Sequence, residues 1–112
     1  MNFPRADANA TILPNGEVLI NGGQSFNDKE FSVFTPEIYQ PANDTWKILS
    51  DSKFRRNYHS TSLLLPNGTV LTAGGDLWNA EIFYPPYLFT KDEEGKTVFA
   101  KRPKIEKIKS EI

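Results

Sequence analysis

Cysteine is absent from this chain of 112 residues, and it holds one histidine and one methionine. The missing thiols exclude a disulfide framework, a thiolate metal site and a cysteine nucleophile. An excess of either charge is missing too. The 13 Lys and Arg residues stand against 14 Asp and Glu, for a formal net charge of -1. That balance gives no electrostatic basis for binding nucleic acid or an anionic membrane. The apolar run Leu63-Leu64-Leu65 falls far short of the ~20 residues that cross a bilayer as a helix. No positively charged start followed by an apolar stretch opens the sequence, so no signal peptide is read there. No segment keeps a convincing amphipathic helix period. At this length one domain with a modest core is expected.

What is present is a repeat. "ATILPNGEVLINGG" (Ala10 to Gly23) matches "SLLLPNGTVLTAGG" (Ser62 to Gly75). Pro14-Asn15-Gly16 falls on Pro66-Asn67-Gly68, and Gly22-Gly23 on Gly74-Gly75. A second pair of segments follows, "PEIYQP" (Pro36 to Pro41) and "AEIFYP" (Ala80 to Pro85). Each unit reads as an apolar strand, a Pro-Asn-Gly turn and a second strand, with Asn-Gly supplying positive φ. The Gly-Gly pair closes the second strand where backbones crowd and side chains do not fit. "EIYQP" offers a third strand, and "DTWKIL" (Asp44 to Leu49) a fourth that carries Trp46. Repeats of this length built from four short antiparallel strands are the make-up of a propeller blade.

The pattern breaks at "YPPYLF" (Tyr84 to Phe89), because paired prolines do not feed a central strand. "TKDEEGK" (Thr90 to Lys96) reads as a loop or hairpin tip, and "KRPKIEKIKSEI" (Lys101 to Ile112) as a half-exposed strand. The expected organisation is all-β: a partial kelch-type β-propeller over 1–89, of roughly two four-stranded blades. Residues 90–112 are expected to be a linker and the first strand of a C-terminal immunoglobulin-like domain. A closed propeller ring needs about 4–8 blades. The chain is therefore expected to be a fragment of a longer protein, inactive alone, whose missing blades and C-terminal domain are its structural partners.

One stretch carries a candidate chemistry. "RRNYHSTSLLLPNG" (Arg55 to Gly68) places Tyr58 directly before His59, the only histidine, at the start of an apolar strand. Consecutive residues in a strand point to opposite faces. The two side chains can share one ion only at a strand entrance, before the backbone is pleated. From spacing alone, the favoured reading is a Tyr-His pair that hydrogen-bonds at the propeller axis and binds no metal.

The blade grammar "LPNGxVLxxGG…xEIYxPxxDTW" resembles the kelch repeat. The ordered set "FTPEIYQPANDTW", "RRNYHSTSLLLPNG" and "AEIFYPPYLF…KRPKI" is similar to the last blades of the galactose oxidase and glyoxal oxidase family, the copper radical oxidases. The resemblance spans essentially the whole chain. It implies that Tyr58 is the axial ligand of a mononuclear copper and the base for the substrate hydroxyl. It implies that His59 is an equatorial ligand of the same ion. It further implies oxidation of a primary alcohol or aldehyde with O2 reduced to hydrogen peroxide, and a secreted protein. The family's remaining ligands, a second histidine and a cysteine-linked radical tyrosine, have no counterpart here. Tyr39, Tyr84 and Tyr87 occupy structural "EIY" and "PPYLF" positions and are assigned no such role. The alternative is a non-catalytic kelch module that binds a protein or a glycan through its loops.

Other conspicuous residues have plainer readings. Arg55 and Arg56 either orient a substrate or anion near the axis or are solvated surface charge. Trp46 reads as packing within a blade. Trp78 lies in "GGDLWNAEIF" (Gly74 to Phe83), a link that is short beside the family's longer insertion. Asn9, Asn43 and Asn67 each open an Asn-X-Thr triplet, a glycosylation acceptor in a eukaryotic secretory route, but each also sits where a turn favours Asn.

Overall fold

The computed structural model of the chain describes residues 1–25, 29–104 and 106, with Lys29 by its backbone alone. The first repeat forms four strands, β1 (Ala6–Ile12), β2 (Val18–Gln24), β3 (Glu37–Gln40) and β4 (Thr45–Ile48). They lie in sequence order as one antiparallel sheet. The second repeat forms β5 (Ser60–Leu64), β6 (Val70–Gly74) and β7 (Ala80–Phe83), again antiparallel and in order. A separate hairpin follows, β8 (Phe89–Lys91) and β9 (Thr97–Phe99). The fold is all-β and antiparallel, as a partial propeller requires. The second sheet stops at three strands because Pro85 and Pro86 turn the chain away after β7. Lys101–Lys104 form no strand, and most of the strand expected through Ile112 lies outside the described residues.

The two Pro-Asn-Gly turns share one geometry, which differs from the expected Asn-Gly pair of positive φ angles. Only the glycines are left-handed, Gly16 at φ 83° and Gly68 at φ 81°. Gly16 N–H donates to the Leu13 carbonyl at 2.9 Å, and Gly68 N–H to the Leu65 carbonyl at 2.8 Å. Proline, with φ fixed near -65°, sets the first central position of an ordinary turn, and glycine then takes the bulge. The asparagines act through their side chains: Asn67 Oδ1 accepts the Thr69 N–H at 3.0 Å, and Asn15 Oδ1 accepts the Glu17 N–H at 3.2 Å. The hairpin tip at Asp92 repeats the scheme without proline. Gly95 N–H donates to the Asp92 carbonyl at 3.0 Å, and Asp92 Oδ1 accepts the Lys96 N–H at 2.8 Å.

The sheets meet along their first strands. Asn9 Nδ2 donates to Ser60 Oγ at 2.8 Å and Thr11 Oγ1 to Ser62 Oγ at 3.0 Å, so β1 and β5 are tied by side chains. Beside this polar seam lies a small core of Leu13, Leu19, Ile38 and Val70, with Leu49, Phe83 and Tyr87 packed against it. Burial of each such aliphatic side chain contributes roughly 1.5–3 kcal/mol. Trp46 packs at a tilt against its cross-strand partner Tyr39, with ring centroids 5.0 Å apart, in keeping with a packing role.

The first sheet also holds a buried ion pair. The Arg5 and Glu37 side chains are both fully buried, and Arg5 Nη2 lies 2.9 Å from Glu37 Oε2. The same guanidinium donates to the carbonyls of Gly22 and Thr35, each at 2.9 Å. Burial alone would raise the Glu37 carboxyl. Hydrogen bonds from the Asn2 and Phe3 backbones and the Asn2 amide, with the charge of Arg5, outweigh it and hold the group below the ordinary carboxylate range.

Candidate functional site

Tyr58 and His59 form the two central positions of a tight turn at the entrance to β5. The turn is closed by the Ser60 N–H, which donates to the Asn57 carbonyl at 3.0 Å. His59 sits at φ 63°, in the left-handed region, where a side chain bearing a Cβ is strained and glycine is usual. This conformation breaks the alternation of a strand. The two rings come to the same side and stack, with centroids 3.8 Å apart and planes 29° from parallel. Both residues are exposed, Tyr58 at 61%. A phenol and an imidazole, consecutive in the chain, therefore stand together at a strand entrance.

The exposed turn rests on two buried residues, Arg56 at 1% exposure and Asn57 at 3%. Neither reading of Arg56 from the sequence, a solvated charge or a substrate-facing one, survives this burial. Its guanidinium is directed into the second sheet. Nη1 donates to the Gly74 carbonyl at 3.2 Å, and Nη2 to Asn79 Oδ1 at 2.7 Å and to the Asn79 carbonyl at 3.3 Å. Glu81 Oε2 lies 3.8 Å away. Burial lowers the Arg56 pKa and the Glu81 charge partly restores it. Asn57 Nδ2 donates to Ser32 Oγ at 2.9 Å, so the base of the turn is also tied to the first sheet.

The Gly-Gly pairs make room for this base. A Cβ on Gly22 would stand 2.1 Å from the Arg56 carbonyl oxygen, and the Gly23 N–H donates to that same oxygen at 2.6 Å. In the second sheet a Cβ on Gly74 would meet the His59 carbonyl oxygen at 2.8 Å. The crowding expected at the end of the second strand of each repeat is crowding against the segment that carries the candidate site.

Beside His59, a shallow cleft is lined by Gly74, Gly75, Asp76, Leu77 and Trp78. Trp78 is fully exposed. The residue type and the short link were visible in the sequence, but its place next to His59 was not. The other tyrosines are occupied elsewhere. Tyr39 Oη donates to Asp44 Oδ1 at 3.0 Å, a bond that raises its pKa. Tyr87 Oη donates to the Gly68 carbonyl and is raised by burial. Tyr84 packs on Phe89 and Phe99, with centroids 6.5 Å from each.

Among the described residues no group of three or more histidine, aspartate or glutamate side chains is placed to hold a metal ion. What the turn offers is one imidazole nitrogen and one phenol oxygen. That donor chemistry suits Cu(II), which favours nitrogen and oxygen in a tetragonal set. Two adjacent donors fit as part of such a set and not as the whole of it.

Comparison with known proteins bears on these residues. A family model described as the glyoxal oxidase N-terminus matches residues 1–91. The chain is 40% identical over 115 residues to a galactose oxidase from Gibberella zeae, covering 92% of this chain and 16% of that protein. It is 32% identical over 109 residues to the aldehyde oxidase GLOX1 of Arabidopsis thaliana, covering 79% of this chain and 18% of the relative. The chain thus spans about a sixth of the length of these relatives. Among solved structures, a fungal alcohol oxidase of the AA5 family in complex with copper superposes with a TM-score of 0.76 at 28% identity. That match covers 96% of this chain and 24% of the oxidase.

Proposed function

We propose, from the premise that this chain belongs to the glyoxal oxidase family, that it supplies part of the copper centre of an oxidase acting on primary alcohols or aldehydes. The observation that carries the reading is the stacked Tyr58–His59 turn at the entrance to β5. His59 would hold the ion through an imidazole nitrogen and Tyr58 through its phenol oxygen. Copper, with the family's radical tyrosine, would supply the one-electron redox chemistry. Tyr58 takes the proton of the substrate hydroxyl, which is general base catalysis by a group already held at the ion. For an alcohol the balance is one R–CH2–OH and one O2 consumed, one R–CHO and one H2O2 formed.

The organisation proposed with this function is two kelch-type propeller blades within 1–89, leading through 90–112 into an immunoglobulin-like domain. The remaining ligands belong to other parts of the oxidase. This chain by itself holds copper without turning over substrate, since catalysis needs a complete and fixed coordination set.

Copper titration followed by electron paramagnetic resonance tests the reading on the chain itself. A Cu(II) signal with nitrogen coupling is expected. His59→Ala removes that coupling and weakens binding by at least about tenfold, the loss that even an outer supporting group brings when removed. Equal affinity and an unchanged spectrum in His59→Ala would take His59 out of the ligand set and favour the kelch binding module instead.

A further inference from the structure

We propose that Arg56 is the positioning residue of the candidate site, holding the strained turn that stacks Tyr58 on His59; its functional meaning, though not its geometry, rests on the copper-ligand reading. A non-glycine residue at positive φ persists only where its surroundings over-determine the backbone. Here the surroundings converge on one residue. The Arg56 guanidinium is anchored to the second sheet through Gly74 and Asn79. Its carbonyl is anchored to the first sheet by the Gly23 N–H at 2.6 Å. Gly22, which leaves no Cβ in the way, lets that carbonyl approach. Arg56 thus fixes the chain from both sides immediately before the turn begins.

The first sheet holds a natural control. Arg5 bonds the Gly22 and Thr35 carbonyls and Glu37, the repeat counterparts of Gly74, Asn79 and Glu81. The left-handed residue that follows, Asp7 at φ 54°, comes two positions after Arg5, whereas His59 comes three after Arg56. With the additional residue, a single left-handed position within β1 is replaced by the turn Asn57 to Ser60, with a phenol and an imidazole at its apex. The same clamp serves both sheets, and only the second presents a site on it.

The test uses the fact that His59 is the only histidine. Its ring protons are assigned without ambiguity by NMR, and the stacked Tyr58 ring displaces them upfield. Tyr58→Leu gives the undisplaced reference. Arg56→Met is expected to abolish most of the upfield displacement, and Arg56→Lys, which keeps the charge but not the forked donors, to abolish part of it. Arg5→Met is expected to leave it in place. A folded Arg56→Met chain with the displacement intact overturns the proposal, as does an equal loss in an Arg5→Met chain that keeps its dispersed amide signals. If Arg56→Met loses its dispersed amide signals, Asn79→Ala takes its place. That variant removes the shortest acceptor of the guanidinium, and an unchanged His59 shift in it also overturns the proposal. Copper binding is read separately. Loss of the stack in Arg56→Met together with His59-independent copper affinity would leave Arg56 a positioning residue while sinking the oxidase reading.

Discussion

The two sheets use the same parts with different tightness. In the first, Arg5 and Glu37 are fully buried at 2.9 Å, and the guanidinium bonds its carbonyls at 2.9 Å. In the second, Arg56 stands 3.8 Å from a Glu81 side chain that keeps 24% exposure, and its carbonyl bonds stretch to 3.2 and 3.3 Å. The sheet with the closed clamp has four strands and carries Ala6-Asp7 at its entrance. The sheet with the open clamp has three and carries Tyr58-His59. The lesson is that a shared scaffold is looser beneath the Tyr58–His59 turn, by one additional residue and a weaker ion pair.

The sharpest way to break this comparison is to remove each acid. Glu37→Ala leaves a fully buried guanidinium uncompensated and is expected to cost about 3–5 kcal/mol. Glu81→Ala, at a longer distance and partly solvated, is expected to cost less than about 1 kcal/mol. Chemical denaturation of both variants measures the difference, and equal losses would end the claim that the clamps differ. The same contrast has a pH signature. The folded Glu37 carboxyl lies below its ordinary value of 4.5, so its contribution is complete above that pH. It is lost as the pH falls through the folded value. Denaturation midpoints followed down from neutral pH should fall in this acidic window for the native chain, and more shallowly for Glu37→Gln.

Next in size is the seat of the turn. Gly22→Ala puts a Cβ 2.1 Å from the Arg56 carbonyl at a backbone angle of φ +68° and is expected to cost about 3 kcal/mol or more. Gly16→Ala is equally left-handed but meets nothing within 4 Å, so only the backbone term of about 1–2 kcal/mol applies. Thermal unfolding of the two variants separates steric conflict from backbone strain.

Smaller still is the strain at the candidate ligand. His59→Gly relieves the left-handed penalty and is expected to stabilise the chain by about 1 kcal/mol, while abolishing the imidazole. Asp7→Gly should give a similar gain in the first sheet with no change in copper binding. A destabilised His59→Gly variant would mean that the stack with Tyr58 outweighs the strain.

The least effect is expected outside both sheets. Phe99→Ala removes a ring stacked 5.1 Å from its cross-strand partner Phe89, worth about 0.5–1.5 kcal/mol beyond area burial. Hydrogen exchange should rise in β8 and β9 and leave β1 through β7 unchanged.

Much of the architecture was legible because its determinants are local. Pro-Asn-Gly marks the two hairpins, "EIYQ" and "AEIF" mark the third strands, and Gly-Gly marks the crowded strand ends. Tyr58-His59 at a strand entrance was legible for the same reason, since alternation forbids the pair to share a side anywhere else. Arg56 was misread. Its partners lie 18 and 23 residues further on, and no local pattern distinguishes a clamped arginine from a solvated one. Asn57 and Trp78 escaped likewise, one because its burial depends on the other sheet, the other because only the folded link places it beside His59.

The sequence by itself determined the hairpin positions, most of the strands and the family, since each rests on residues adjacent in the chain or repeated along it. The tertiary structure decided which charges are buried and which way the Tyr58 and His59 rings face. Those outcomes depend on contacts between segments distant in sequence, and on the free energy of placing a guanidinium where water cannot reach it.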